Sequence, residues 1–171
     1  MKILIPVDGS ELSLDAVRYA LELRRQGLNT EFVLANVQEP ASLYELLTIR
    51  DPERVEGMTT SAGDHLLEGA RQMCDAAGVH YEWEIASGDP AHILLDIAER
   101  YACDFIVVGA RGRGGLAGPK LGSVSQVLAH DATIPVMVVK HAQPDELAPD
   151  QEEAAESVNP TDVSEDVVGL A

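Results

Sequence analysis

Six of the chain's fourteen glycines fall in one short stretch: Gly109, Gly112, Gly114, Gly115, Gly118 and Gly122. The stretch follows an aliphatic run ending in Val107-Val108-Gly109 and gives way to an apolar-periodic segment beginning near Ser123. Glycine lets main-chain N–H groups approach a ligand closely and reach positive φ. A helix N-terminus adds N–H groups without partners and a partial positive charge. Ser123 and Ser125 put hydroxyls in the first turn, and Arg111, Arg113 and Lys120 place three of the chain's twelve basic residues in the same loop. With a net charge of −17 overall, such a local positive cluster calls for an anion. Phosphate is the natural occupant. The alternative is a glycine-rich surface loop whose cations stay solvated, although loops of this length in compact domains are usually functional or disordered.

Strands and helices must carry that loop to one edge of a sheet. Residues 2–7 (KILIPV) are an apolar run of strand length, ended by Asp8-Gly9-Ser10. Leu12, Ala16, Tyr19, Ala20 and Leu23 then recur at helical spacing until Gly27. Residues 30–37 (TEFVLANV) form the next strand, and 80–86 alternate Tyr81, Trp83 and Ile85 with polar neighbours, as a strand with one wetter face does. Asp89-Pro90 opens a helix whose stripe is Ile93, Leu94, Ile97, Ala98 and Tyr101. Residues 104–110 (DFIVVGA) and 135–140 (PVMVVK) complete the strands, with a short helix marked by Val124, Val127 and Leu128 between them. Residues 39 to about 60 interrupt the pattern with Pro40, Pro52 and Gly57. We expect a mobile excursion there, with a helical turn or two over 42–47, before a helix carrying Leu66, Leu67, Ala70, Met73 and Cys74. The alternation predicts an α/β fold with an open parallel sheet covered by helices on both faces. Ligands of such sheets bind beyond the carboxyl ends of the strands, where the strand order reverses.

Two familiar phosphate loops do not fit. A P-loop needs G-x-x-x-x-G-K-[ST] after the first strand, whereas Lys120 stands between Pro119 and Leu121. A dinucleotide fingerprint drawn through Gly112, Gly114 and Ala117 meets Gly118-Pro119 where its helix should run. What fits is Gly109-x2-Gly112-x9-Gly122-Ser123, together with Val7-Asp8-Gly9-Ser10 after the first strand. On these motifs, residues 2–141 closely resemble the universal stress protein family, in its ATP-binding subgroup. The resemblance implies a twisted five-stranded parallel sheet of order 3-2-1-4-5, Rossmann-like and akin to the adenine nucleotide alpha hydrolases. In that order the first and fourth strands are neighbours, which brings Asp8 beside Gly109.

The resemblance also implies a site. Gly109 would lie against ribose and adenine, with Val108 before it also among the nucleotide-binding residues, and Gly112, Gly122, Ser123, Val124 and Ser125 would hold the phosphates. Asp8 would stand near the ribose and an Mg2+ carried by the phosphates. Pro6 and Val7 would line the crevice, and the main chain of Val37 would meet the adenine edge. Asn36 stands where many relatives carry histidine. Asp8 and Ser10 both suit the N-cap of the helix starting near Glu11, and a cap does not exclude a ligand role. The family further implies stress-resistance roles, regulation of transporters or channels in some members, and a homodimer through antiparallel pairing of strand 135–140. The leading expectation is an ATP-binding sensor or regulator of the stress response, whose loop is ordered by ATP or another adenine nucleotide and read by a regulatory protein. The alternatives are slow ATP hydrolysis or autophosphorylation at Ser123 or Ser125, or a nucleotide-free dimeric interaction module. No residue is evidently placed to orient an attacking water, so any turnover is expected to be weak.

Composition narrows the partners. The 171 residues suit one domain. Twelve basic residues against 29 acidic ones argue against nucleic acid and against an anionic membrane surface. No apolar run approaches the roughly 20 residues that span a bilayer, and the opening residues lack a secretory h-region, so a cytoplasmic protein is expected. Cys74 and Cys103 are isolated, and the five histidines show no metal-ligand spacing. Both thiols are expected to fill small apolar volumes. Residues 142–171 hold nine acidic residues, three prolines and no basic or aromatic residue, which leaves −8 for residues 1–141. That composition predicts a disordered acidic tail following a nucleotide-binding domain over 1–141.

Overall fold

The computed structural model describes residues 1–39, 52–112 and 120–140, and only the main chain of 52–60. The expected turns over 42–47, the loop residues between 113 and 119, and the acidic segment from 142 onward lie outside the described residues. The elements run β1 (Lys2–Pro6), α1 (Glu11–Arg25), β2 (Glu31–Gln38), α2 (Pro52–Ala76), β3 (Tyr81–Ser87), α3 (Pro90–Arg100), β4 (Phe105–Gly109), α4 (Ser123–Asp131) and β5 (Val136–Val139). All strand pairs are parallel and the order is β3-β2-β1-β4-β5, as the resemblance implies.

The uninterrupted aliphatic runs belong to the strands buried on both faces, because successive side chains leave a strand in opposite directions. On one face Ile3, Ile5, Phe32, Leu34, Phe105 and Val107 pack against Ala16, Val17 and Ala20 of α1 and Leu67, Ala70 and Cys74 of α2. On the other, Leu4, Val33, Ala35, Ile106 and Val108 meet Leu94, Ile97 and Ala98 of α3 and Leu128 of α4. Each fully buried aliphatic side chain contributes roughly 1.5–3 kcal/mol of transfer free energy. Both thiols are core fillers; burial pushes Cys74 up to about 12 and Cys103 up to about 11. Trp83 on edge strand β3 is 44% exposed, with the Arg71 guanidinium 5.3 Å above its ring. Glu82 and Glu84 leave the opposite face to meet Lys2 and Arg100 at 2.8 and 2.9 Å.

One expectation is corrected. The helix that was to follow an excursion ending near residue 60 begins at Pro52 and runs 25 residues to Ala76. Pro52 and Gly57 read as breakers, yet proline at a first helical position gives up an N–H that has no intrahelical acceptor anyway. An interior glycine costs about 1 kcal/mol, which a long helix packed along its apolar stripe absorbs. Among the described residues, no helix is long and apolar enough to cross a membrane.

Candidate functional site: a crevice at the carboxyl ends of the strands

β1 and β4 run side by side, Ile3 opposite Phe105 and Leu4 opposite Ile106, and the connections leave their carboxyl ends in different directions. The gap between them opens a cavity of about 660 Å³. Its floor is Pro6 and Val7 of the first strand's end and Val108 and Gly109 of the fourth. Ala35 to Glu39 form one side, and Asp8, Arg111 and Gly112 another. Gly122, Ser123, Val124 and Ser125 bring the start of α4 to the rim, while Ser13, Leu66, Pro90 and Leu94 reach in from the other helices. All eleven residues singled out from the sequence thus border one cavity.

Three helices start at this edge, and their first turns differ. α1 is capped by Ser10, whose Oγ accepts from Ser13 N–H at 3.2 Å. Asp8 is the support for that cap: its Oδ1 accepts from Ser10 N–H at 3.0 Å and Ser10 Oγ–H at 2.6 Å. Gly9 makes the turn between them at φ +79°, a conformation that favours glycine. α3 is capped by Asp89, which accepts from His92 N–H at 3.1 Å, with Pro90 at its first position. His92 is exposed and also meets Asp89 through its ring. The two shift each other in opposite senses. Asp89 is held below the usual carboxylate value, first by the His92 main-chain N–H, and His92 is raised by its hydrogen bond to Asp89.

α4 has glycine at its N-cap and no side-chain cap bond. Gly122 N–H donates to Ala110 O at 2.8 Å, and the first helical bond runs from Gln126 N–H to Gly122 O at 2.9 Å. The N–H groups of Ser123, Val124 and Ser125 therefore have no acceptor within the helix. Ser125 is buried, and its hydroxyl lies 2.8 Å from Ala110 O and 3.0 Å from Gly122 O, acceptors that engage its single proton. It braces the turn, whereas Ser123 is exposed at the rim.

The motif glycines have a structural reason that spacing alone did not reveal. A Cβ at Gly109 would stand 2.7 Å from Leu12 O, so the missing side chain faces α1 and not the cavity. A Cβ at Gly112 would strike Asp8 Oδ2, and one at Gly122 would sit 3.2 Å from Arg111 Cα. Their main chains border the cavity because these close approaches draw α1, the Asp8 turn and the loop after β4 together. Sequence reasoning did not place Ser13, Ala35, Gln38, Glu39, Leu66, Pro90 or Leu94 at the site. They carry no motif, and only the fold's third dimension brings them there.

A family model described as the universal stress protein family matches residues 1–140. This chain belongs to that family. A universal stress protein of Methanocaldococcus jannaschii is 31% identical over 139 residues, 81% of this chain and 81% of the relative. A universal stress protein family member from Arabidopsis thaliana, solved with AMP bound, superposes with a TM-score of 0.58 at 27% identity, covering 88% of this chain and 97% of that one. A universal stress protein solved in complex with cAMP gives 0.61 at 26% identity, covering 81% and 96%. Within this universal stress protein, His130 lies in the last turn of α4 beside Asp131, whose hydrogen bond raises its pKa.

Proposed function

We propose that the crevice binds an adenine nucleotide, ATP foremost, and that the protein acts as a nucleotide-dependent sensor or regulator in the stress response. The observation that carries this reading is the first turn of α4. Of the three helices that start at the crevice, α1 and α3 satisfy an N–H with Ser10 and Asp89, and α4 turns a glycine and three main-chain N–H groups toward the rim. Such a turn suits phosphate, and Arg111 at the wall supplies a further positive charge. The relatives solved with AMP and with cAMP support adenine as the base.

Among the described residues no three His, Cys, Asp or Glu side chains stand together as metal ligands. A Mg2+ carried by the phosphates needs none, because it keeps several waters and takes one or two carboxylates. Asp8 fits that part: Oδ1 is held by Ser10 and Oδ2 lies on the side of Gly112. The half-buried aliphatic edge of β5 supports a homodimer through that strand, and the cytoplasm is the location we propose for it. Nucleotide occupancy would then change the loop beside the crevice that a partner protein reads, in proportion to the nucleotide's preference for the ordered form. Calorimetric titration with Mg·ATP, with mass identification of any nucleotide released by denaturing the purified protein, tests the reading. Saturable heat at one site per chain is expected. A folded protein that releases no nucleotide and gives no heat with Mg·ATP refutes it.

A further inference from the structure

The β1–β2 ladder ends one rung early, and a side chain takes the missing donor's place. The last rung runs from Val7 N–H to Ala35 O at 2.8 Å, with Pro6 opposite Ala35. Continuing the parallel pattern would send Val37 N–H to Val7 O. Val7 O accepts instead from Asn36 Nδ2 at 2.6 Å, although β2 stays paired with β3 as far as Gln38 opposite Ser87. A carbonyl only accepts, so the nitrogen of the Asn36 amide must face Val7. Its oxygen then accepts from Gln38 Nε2 at 2.5 Å, which fixes the amide's orientation. Asn36 is 2% exposed, with its Oδ1 on the side of Gly63, where a Cβ would come within 3.1 Å of it. In a parallel strand both main-chain groups of a residue face the same neighbour. Those of Val37 therefore face the side where β1 has ended, at the wall of the crevice.

We infer that Asn36 is a positioning residue for base selectivity: by taking over Val7 O it keeps the Val37 peptide edge turned to the ligand. The inference rests on the nucleotide reading above. A main-chain N–H beside a C=O matches adenine, whose N1 accepts and whose 6-amino group donates. Hypoxanthine presents the reverse, a 6-oxo acceptor and an N1–H donor, so it leaves both main-chain groups opposed. Loss of the Asn36 donor would let Val37 N–H close onto Val7 O, extend the ladder by a rung and withdraw the edge.

The test compares Mg·ATP, Mg·ITP and Mg·tripolyphosphate by calorimetry on the wild type, Asn36→Leu and Asn36→His. The wild type should prefer ATP over ITP by about tenfold or more, as expected when paired polar groups are left unsatisfied. Asn36→Leu should bring that ratio close to one and leave tripolyphosphate affinity unchanged. Asn36→His, which restores a donor, should recover the preference. If Asn36→Leu does not fold, Gln38→Leu, which frees the Asn36 amide to rotate, should lower the ratio by part of that amount. A wild-type ratio retained in Asn36→Leu, or in Gln38→Leu where that stands in, overturns the inference and leaves the nucleotide site standing. So does tight binding of ATP and ITP alike by the wild type. Failure of the wild type to bind either ATP or tripolyphosphate removes the site, and the inference with it.

Discussion

Replacing Gly109 with alanine separates two jobs a glycine can do at the floor of a nucleotide crevice. A methyl at this position would stand 2.7 Å from Leu12 O, 2.9 Å from Leu12 C and 3.2 Å from Ser13 N. A carbon and a carbonyl oxygen in close favourable contact stop at about 3.3 Å, so α1 must retreat by about half an ångström. No side-chain rotation can absorb this, because all three atoms are main chain in a first turn held by the Ser10 cap. Overpacking of this kind costs about 1–3 kcal/mol, and the alanine's restriction of the unfolded chain returns about 0.4–1 kcal/mol. A net loss of about 1–2 kcal/mol is expected, or a melting temperature lower by about 3–6 °C for a chain of this size. Urea denaturation of the nucleotide-free protein reads it as a lower midpoint with an unchanged slope. A ligand-free variant as stable as the wild type, yet weakened in nucleotide binding, would show that the glycine serves the ligand and not the helix.

Gly122→Asp installs a carboxylate that can cap Val124 or Ser125 N–H, so Mg·ATP affinity should fall about tenfold to hundredfold, and its Cβ, 3.2 Å from Arg111 Cα, should cost about 1 kcal/mol of stability without unfolding the protein. Unchanged affinity by calorimetry would remove α4 as the phosphate seat. Thr30 is 1% exposed and its Oγ1 has no hydrogen-bond partner among the described residues, so the isosteric Thr30→Val should gain about 1 kcal/mol in denaturant unfolding; a loss would mean the hydroxyl is satisfied. The His92–Asp89 pair sets a pH window. The raised His92 contributes fully below its unfolded value of 6.5, and that contribution is lost as pH rises through its folded value. The lowered Asp89 contributes above 3.8, and its part is lost as pH falls through its own folded value. Melting temperatures at low salt should therefore favour wild type over His92→Gln near about pH 5.5 and converge toward about pH 8.5. A gap that widens with pH contradicts the sign.

Much of the architecture is legible in the sequence because strands buried on both faces are written as aliphatic runs, and β1, β2 and β4 are such strands. Edge strand β3 is written as an alternation, and there Trp83 leaves the core for Arg71. The start of α2 was hidden because Pro52 and Gly57 carry opposite meanings at a helix start and in a loop, and only packing distinguishes them. The site shows a similar division. Positions of the motif glycines are readable from spacing, but the reason for Gly109 lies in the carbonyl of Leu12, 97 positions earlier in the chain. The Asp8–Ser10 ambiguity could not be resolved from residue types, since both side chains suit a cap. The structure gives the cap to Ser10 and makes Asp8 its acceptor. Asn36 reads from the sequence as a departure from relatives, and its bond to Val7 O emerges only once β1 and β2 are seen to part.

Amide resonances of Ser123, Val124 and Ser125, followed in 15N-labelled protein as Mg·ATP is added, report most directly on whether main-chain N–H groups at the head of α4 receive the phosphates. Saturating downfield shifts at these three amides, reproduced by Mg·tripolyphosphate, are the expected result. ATP that binds while these amides stay in place, with the shifts confined to another surface, would contradict it.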